Sequence, residues 1–370
     1  MNITLRRGTL SAALALGMCL AALPPWQAQA ATFVPCNDIA GLKAAINDAN
    51  VTGTSIALAS GCTYNLTTAE TGDDGLPEIT GNVRISATFG ATIRRAPTAT
   101  EEFRIFHVVS GGSLTLNRIT VSGGRAGITP DGFYGGGIYN EGGSVTLNNA
   151  TVRNNWAYSG GGGIYSEAGT LILNQTTVRN NSTEVFGGGI QNAGGTLRMR
   201  EGALRDNTAG FDGGGLENFP DGTATLDAVL VTGNTADRWG GGIDNFDDSR
   251  LRLNSTVVRG NQAELGGGIY NDESLATLAS SRVTGNTATG GPQSGGGIYN
   301  SDGDVVLLGS AVTANTPDNC APPGGVPGCV NPLGALDARL DAAGGLDVRL
   351  GGLNVRLHAV KTAALEHRQR

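Results

Sequence analysis

The chain has 370 residues, of which 60 are glycine, and its formal net charge is −7 at pH 7. Aromatic residues make up 5% and charged residues 15%, whereas proteins typically carry about 7% glycine and about 25% charged residues. This composition favours a solenoid of repeated coils over a globular domain with one large core. Because the chain is acidic and has no basic cluster, we expect no nucleic-acid partner.

The N-terminal segment has the pattern of a signal peptide over residues 1–30. Arg6 and Arg7 precede an apolar run over 10–23, and Ala28 and Ala30 form a small-x-small cleavage site. The apolar run is too short to span a bilayer comfortably. We therefore expect an exported protein, which is not an integral membrane protein after cleavage.

Residues 31–75 are predicted to form an N-terminal cap and the first coil. Ile39, Leu42 and Ile46 recur at helical spacing behind Asn37 and Asp38, which predicts a short capping helix. A solenoid needs such a cap because its first coil is otherwise an exposed sheet edge.

Four cysteines follow the predicted signal peptide, at Cys36, Cys62, Cys320 and Cys329. An even number in an exported chain suggests two disulfides. Proximity along the sequence favours Cys36–Cys62 and Cys320–Cys329, although four cysteines allow three pairings. These pairs would bracket the repeat region at its two ends.

Residues 76–330 contain an internal repeat of about 26 residues. Three glycines and an aliphatic residue recur seven times, with the aliphatic residue at Ile138, Ile164, Ile190, Leu216, Ile243, Ile269 and Ile298. A second column has an aliphatic residue three places before an asparagine, at Asn155, Asn181, Asn207, Asn234, Asn261, Asn286 and Asn315. Each repeat holds three short strand-like pieces separated by turn residues and shows no helical period. The fold class predicted is therefore all-β, a right-handed parallel β-helix with a short N-terminal capping helix.

Stacking of the coils aligns equivalent residues in columns. Alternation along the strand after each glycine triplet places one column outside, at Tyr139, Tyr165, Gln191, Glu217, Asp244, Tyr270 and Tyr299. The following residue turns inward and is usually asparagine, as at Asn140 and Asn192. We interpret this column and the one from Asn155 to Asn315 as structural ladders of side-chain hydrogen bonds.

Several of these motifs carry a resemblance to a known family. The sequence Gly-Gly-Gly-Ile-Tyr-Asn at 135–140 and 295–300, and Asn-Ser-Thr-Val-Val-Arg-Gly-Asn at 254–261, resemble the repeats of the polymorphic outer-membrane protein group and of autotransporter passengers. The resemblance covers roughly residues 110–320. It implies a parallel β-helix at or outside the cell surface, often with an adhesive role.

After Cys329 the pattern changes. The stretches 336–340, 346–350 and 353–357 form a minor repeat of the type Leu-x-x-Arg-Leu, separated by polar and small residues. We predict that residues 331–370 are a C-terminal tail or weak extra strands.

Two sets of side chains are candidates for binding. Aromatic residues precede the glycine triplets at Tyr134, Phe186, Phe211 and Trp239, and they would offer a platform for sugar rings or for a protein. The alternative is that these rings stack on one another and cover the turn. Carboxylates follow the inner asparagine column, and near Asp247, Asp272 and Asp302 we hypothesise weak calcium binding. The alternative there is a solvated acidic edge, and we expect no other cofactor.

The parallel β-helix is also the fold of pectate lyases and polygalacturonases, so the fold alone does not decide function. Asp-Asp pairs occur at 73–74 and 247–248, and the histidines are His107, His358 and His367. We interpret His107 as an ordinary exposed or paired histidine, and the sequence nominates no catalytic residue.

The function we expect is a non-enzymatic surface or secreted β-helix that presents a long face to an extracellular glycan or a host or cell-surface protein. The alternatives are a polysaccharide-active lyase or hydrolase with a divergent site, and a passive structural spacer of the envelope. A carboxylate cluster in a groove faced by arginine or lysine would favour the enzyme. An exposed row of aromatic rings would favour binding.

Overall fold

A computed structural model describes residues 30–128 and 133–332 with their side chains, and three further strands by their backbone. The predicted signal peptide lies outside the described residues except for Ala30. Residues 129–132 also lie outside them.

The chain begins with the predicted cap. Helix α1 spans Ile39–Thr52, and the side chain of Asp38 accepts a hydrogen bond from the backbone N–H of Gly41 at its first turn. Its apolar face, including Leu42 and Ile46, is buried against the first coil. The predicted capping helix is confirmed.

The coils build three parallel sheets, which we number I to III. Sheet I contains seventeen strands: Thr32–Val34, Ile56–Leu58, Thr63–Leu66, Asn82–Arg95, Ser113–Ser122, Ser144–Asn148, Thr151–Arg153, Thr170–Asn174, Thr177–Arg179, Thr196–Arg205, Thr223–Thr232, Arg250–Asn254, Val257–Arg259, Leu275–Ala279, Arg282–Thr284, Asp304–Leu308 and Ala311–Thr313. Sheet II contains nine strands: Phe106–Val108, Ile138–Glu141, Ile164–Glu167, Ile190–Ala193, Leu216–Asn218, Ile243–Phe246, Ile269–Asp272, Ile298–Ser301 and Cys320–Ala321. Sheet III contains seven: Arg125–Ala126, Trp156–Ala157, Ser182–Thr183, Thr208–Ala209, Thr235–Ala236, Gln262–Ala263 and Thr287–Ala288. The predicted parallel β-helix is confirmed.

The interior is a set of vertical columns. The aliphatic residues from Ile138 to Ile298 are fully buried in sheet II, each beside its equivalent in the next coil. The asparagine ladders form as predicted. In one of them the amide nitrogen of Asn181 donates to the side-chain oxygen of Asn207 over 3.0 Å, and that oxygen also accepts the backbone N–H of Asn181 over 3.0 Å. These ladders pair most of the buried amide groups where the strands end, and two oxygens of the sheet II ladder have no hydrogen-bond partner in the described residues.

The glycine triplets are required by the close approach of neighbouring coils. Gly161 has φ +60°, a conformation that disfavours other residues, and a Cβ on Gly162 would lie 2.3 Å from the carbonyl oxygen of Ser182. The triplet therefore allows the chain to turn directly into sheet II.

Both ends of the β-helix carry a disulfide. Cys36 bonds Cys62 and Cys320 bonds Cys329, which confirms the pairing favoured by the sequence. In the C-terminal region, Asp337–Leu340, Leu346–Leu350 and Leu353–Leu357 form an antiparallel three-stranded sheet. No helix within the described residues is long and apolar enough to cross a membrane.

Candidate functional site

The outward column of sheet II is the feature that organises the site. Its residues lie in register from strand to strand, and the register extends one coil earlier than the sequence repeat, to His107 beside Tyr139. The side chains alternate with the buried aliphatic residues, as predicted. Most are nevertheless covered: Gln191 is 5% exposed, Glu217 4% and Asp244 2%. This column is therefore a second, mostly polar layer rather than an open face.

The turn before each glycine triplet provides the cover. Its residues pair from coil to coil in the order Tyr134, Gly160, Phe186, Asp212, Trp239 and Leu265, which we call the turn column. Three of the four predicted aromatic binding residues belong to it. The fourth, Phe211, is one residue out of this register and is 42% exposed, because Asp212 occupies the equivalent place. The four rings consequently do not form one continuous row.

The aromatic rings of the turn column contact other rings. Tyr134 stacks on Tyr165 with centroids 4.3 Å apart, and Trp239 stacks on Tyr270 at 4.9 Å. Such pairs stabilise the turn against sheet II. The geometry agrees with the alternative that the rings cover the turn, and ligand binding by Tyr134, Phe186, Phe211 and Trp239 stays a prediction.

A cleft of about 410 Å³ opens at the N-terminal end of the outward column. Its lining combines carboxylates, basic groups and aromatic rings. The carboxylates are Asp73, Asp74, Glu78 and Glu141, the basic groups are His107 and Arg104, and the rings are Phe133, Tyr134 and Tyr139. We call this cleft the His107 cleft.

The imidazole of His107 is held at both nitrogens. Nδ1 lies 3.0 Å from Asp74 Oδ2 and 3.8 Å from Glu78 Oε1, while Nε2 lies 3.0 Å from Glu141 Oε2. The ring also stacks on Tyr139 at 4.8 Å, nearly parallel. Burial lowers the pKa of His107. The hydrogen bonds to Asp74 and Glu141 and the charge of Asp74 raise it by more than burial lowers it, so the net direction is upward.

The backbone places these groups together by β-bridges. Asp74 bridges Arg104, and the N–H of Ile79 donates to the carbonyl of His107, which brings Glu78 beside the histidine. Arg104 is 1% exposed, and its Nε lies 3.4 Å from Asp74 Oδ1. The guanidinium of Arg104 compensates the charge of the buried Asp74 carboxylate, although Nε and Oδ1 form no hydrogen bond with each other.

A second group of carboxylates lies further along the stack, where Glu217 and Asp244 belong to the outward column and Asp212 belongs to the turn column. Burial raises the pKa of Asp212 to about 6, against the charge of Arg238, whose Nε lies 3.9 Å from Asp212 Oδ1. Burial also raises the pKa values of Glu217 and Asp244 well above their ordinary range, and the neighbouring carboxylates raise them further. Glu217 Oε2 and Asp244 Oδ1 have no hydrogen-bond partner in the described part of the chain.

The predicted calcium ligands lie elsewhere, where the strands of sheet II end. Asp272 pairs in register with Phe246 and Ser301, so Asp247 and Asp302 follow it by one position in their own coils. The three aspartates are thus not equivalent in the stack. Within residues 30–128 and 133–332, a different group of side chains brings its donor atoms close together. The donor atoms of Asp74, Glu78 and His107 all lie within 4.8 Å of one another. Calcium binding near Asp247, Asp272 and Asp302 stays a prediction.

The contacts of His107 were not predicted from the sequence, because its coil departs from the regular repeat. The interpretation as an ordinary paired histidine named no partner, and Asp74 was noted only as half of an Asp-Asp pair. A usable signal was present: the Phe106-His107-Val108 stretch has the same alternation as Ile138-Tyr139-Asn140. Extending the outward column by one coil would have placed His107 beside Tyr139.

The fold and the repeat define the class: a parallel β-helix repeat protein. A family model described as the Chlamydia polymorphic membrane protein repeat matches residues 149–167. The matched segment runs from Thr151–Arg153 of sheet I through Asn155 and the glycine triplet to Ile164–Glu167 of sheet II. The chain is therefore a β-helix repeat protein with repeats like those of the polymorphic membrane proteins. No curated protein and no solved structure matches the chain.

Proposed function

We propose that this protein is exported and binds an extracellular glycan through the His107 cleft. The observation that carries the proposal is the convergence, in one cleft of about 410 Å³, of four carboxylates with the half-buried rings of Phe133 and Tyr134. Binding sites generally combine an apolar wall with a few polar groups that fix orientation. The cell-surface location rests on the N-terminal signal pattern and on the likeness to polymorphic membrane protein repeats.

Charge decides which glycans are expected. Carboxylates accept hydrogen bonds from hydroxyl groups, and each ring offers an apolar face to the C–H face of a sugar. Asp73, Glu78 and Glu141 would repel uronic acids and sulfated sugars in a chain whose net charge is already −7. Neutral or amino-substituted glycans are therefore the proposed ligands.

The test is a binding screen of the purified protein against neutral, amino-substituted and acidic polysaccharides. Glu78→Gln is the informative variant, because the Glu78 side chain is 46% exposed and its loss should not unfold the chain. Loss of a charged hydrogen bond predicts a Kd increase of about 10-fold or more. Glu264→Gln, at an exposed turn of a middle coil, is the matched control and should leave the Kd unchanged. Failure to retain any polysaccharide would contradict the proposal.

A polysaccharide-active enzyme is the second candidate, and the same cleft favours it. His107 contacts carboxylates at both nitrogens, and Arg104 lies beside one of them, which is a group of potential acids and bases in a cleft. Scoring the same panel for new reducing or unsaturated ends separates the candidates. Product formation would establish the enzyme, and retention without product would support the binding protein. If the panel gives neither retention nor product, the result would favour a protein ligand or a structural spacer.

A further inference from the structure

We infer that Asp74, Glu78 and His107 form a binding site for a divalent transition-metal ion of the zinc type at the base of the His107 cleft. Their donor atoms, one from each side chain, all lie within 4.8 Å of one another. The inference stands apart from the proposed function, because the metal can be measured without any glycan.

The distances between donor atoms fit a small cation. His107 Nδ1 is 3.0 Å from Asp74 Oδ2 and 3.8 Å from Glu78 Oε1. Ligand atoms about 2.1 Å from a tetrahedral zinc ion lie about 3.4 Å from one another, midway between these values. Small adjustments of the exposed Glu78 side chain would complete the set. The cleft leaves a fourth position open to solvent.

The groups behind the donors are arranged as in metal sites. Metal-bound histidines usually donate the other ring N–H to a carboxylate, which fixes the tautomer and the ring orientation. Here Nε2 of His107 faces Glu141 Oε2 at 3.0 Å, so Nδ1 is turned toward Asp74 and Glu78. Arg104 contacts Asp74 through Oδ1 and leaves Oδ2 directed at the histidine. Glu141 therefore orients the histidine, and the ion pair with Arg104 lies on the side of Asp74 that faces away from it.

The chemistry of the donors selects the ion. Calcium and magnesium prefer an all-oxygen shell, whereas zinc and its neighbours accept imidazole together with carboxylate. Three carboxylates and one arginine near the histidine leave an excess of negative charge that a divalent cation would offset. The site thus differs in kind from the calcium site predicted near Asp247, Asp272 and Asp302.

The experiment titrates the chelator-treated, untagged protein with Zn²⁺ alone by calorimetry, and with Co²⁺ alone by visible absorption. One saturable Zn²⁺ per chain is expected, with a rise in Tm. His107→Gln should weaken binding by about 100-fold and abolish the intense d–d absorption of bound four-coordinate Co²⁺, and Glu78→Gln should weaken binding by at least about 10-fold. Glu141→Gln, acting through the histidine, should cost about 10- to 100-fold.

The other two histidines supply the control. His358→Gln combined with His367→Gln removes every other imidazole of the chain and should leave the Zn²⁺ affinity unchanged. The Tm of each metal-free variant shows whether it is folded, and Glu78→Gln keeps the test valid if His107→Gln unfolds. Absence of saturable binding overturns the inference, as does binding that survives His107→Gln or Glu78→Gln, or that disappears in the double control. Glycan retention without metal binding would overturn this inference alone.

Discussion

At the scale of single residues, the unusual feature is a group of buried carboxylates, two of which have an oxygen without a hydrogen-bond partner in the described residues. Glu217 and Asp244 are neighbours on sheet II, and Asp212 of the turn column lies near them. Arg238 is the cation that faces this group, and it stacks on the ring of Trp239 at 4.0 Å. Ionising three such groups together is costly, so protons are held more tightly in the folded chain than in the unfolded chain.

This predicts a stability that falls as pH rises. The pKa of Asp212 moves up to about 6, and those of Glu217 and Asp244 move up as well, so the folded state binds more protons than the unfolded state above about pH 4. The stabilisation is complete below the unfolded pKa and is lost as pH rises through about 6 and beyond. Glu217→Gln should remove part of this loss and stabilise the protein at pH 7.5 by about 1–3 kcal/mol.

Thermal unfolding from pH 4 to pH 8 checks this. The Tm difference between Glu217→Gln and the unmodified chain should be small at pH 4 and grow toward pH 8. Glu264→Gln, which removes an exposed carboxylate, should show no such trend. A variant less stable than the unmodified chain at pH 7.5 would show instead that the Glu217 carboxylate has a stabilising partner.

At the scale of elements, the repeat made the strands and ladders predictable. Each Asn and aliphatic column depends on a residue that recurs at nearly constant spacing, and parallel stacking then leaves one register that buries all of them. The outward column could not be interpreted in this way. Its burial depends on the turn before the glycine triplet. In that turn the sequence predicted Phe211 as the equivalent of Phe186 and Trp239, whereas the structure places Asp212 there. The His107 cleft uses an irregular coil, where the period gives no guide.

The buried asparagine ladder should contribute more to stability than the half-buried asparagine ladder of sheet I. Asn207 is fully buried, donates to Asn234 Oδ1 over 2.9 Å and to the Val178 carbonyl over 3.1 Å, and accepts two bonds from Asn181. Asn207→Ala leaves buried groups unpaired and should cost roughly 3 kcal/mol or more in the free energy of unfolding. Asn174→Ala, in a half-buried ladder of sheet I, should cost about 1 kcal/mol or less. Urea unfolding of both variants measures the difference, and equal losses would contradict the structural weight given to the inner ladder.

At the scale of the whole molecule, the β-helix behaves as a stack in which each coil contacts its neighbours, so the ends are its weak points. Helix α1 covers the first coil, and the hydroxyl of Tyr64 donates to the carbonyl of Val34 over 2.8 Å beneath it. The sequence predicted this organisation because both cysteine pairs bracket the repeat. The His107 cleft was not predicted, because it lies between the cap and the first regular coil, where only the alternation around His107 continues the pattern.

Removal of the cap disulfide should therefore open one end and leave the middle closed. Cys36 and Cys62 are 26 residues apart, and closing a loop of this length stabilises the folded state by about 3–4 kcal/mol in the chain-entropy account. In Cys36→Ser with Cys62→Ser, hydrogen exchange should quicken in Thr32–Val34 and Ile56–Leu58 but hardly in Ile190–Ala193. Cys320→Ser with Cys329→Ser is the matched control and should loosen only the opposite end. If exchange quickened equally in all coils, the stack would be unfolding as one cooperative unit, and the ends could not be treated as independent of the centre.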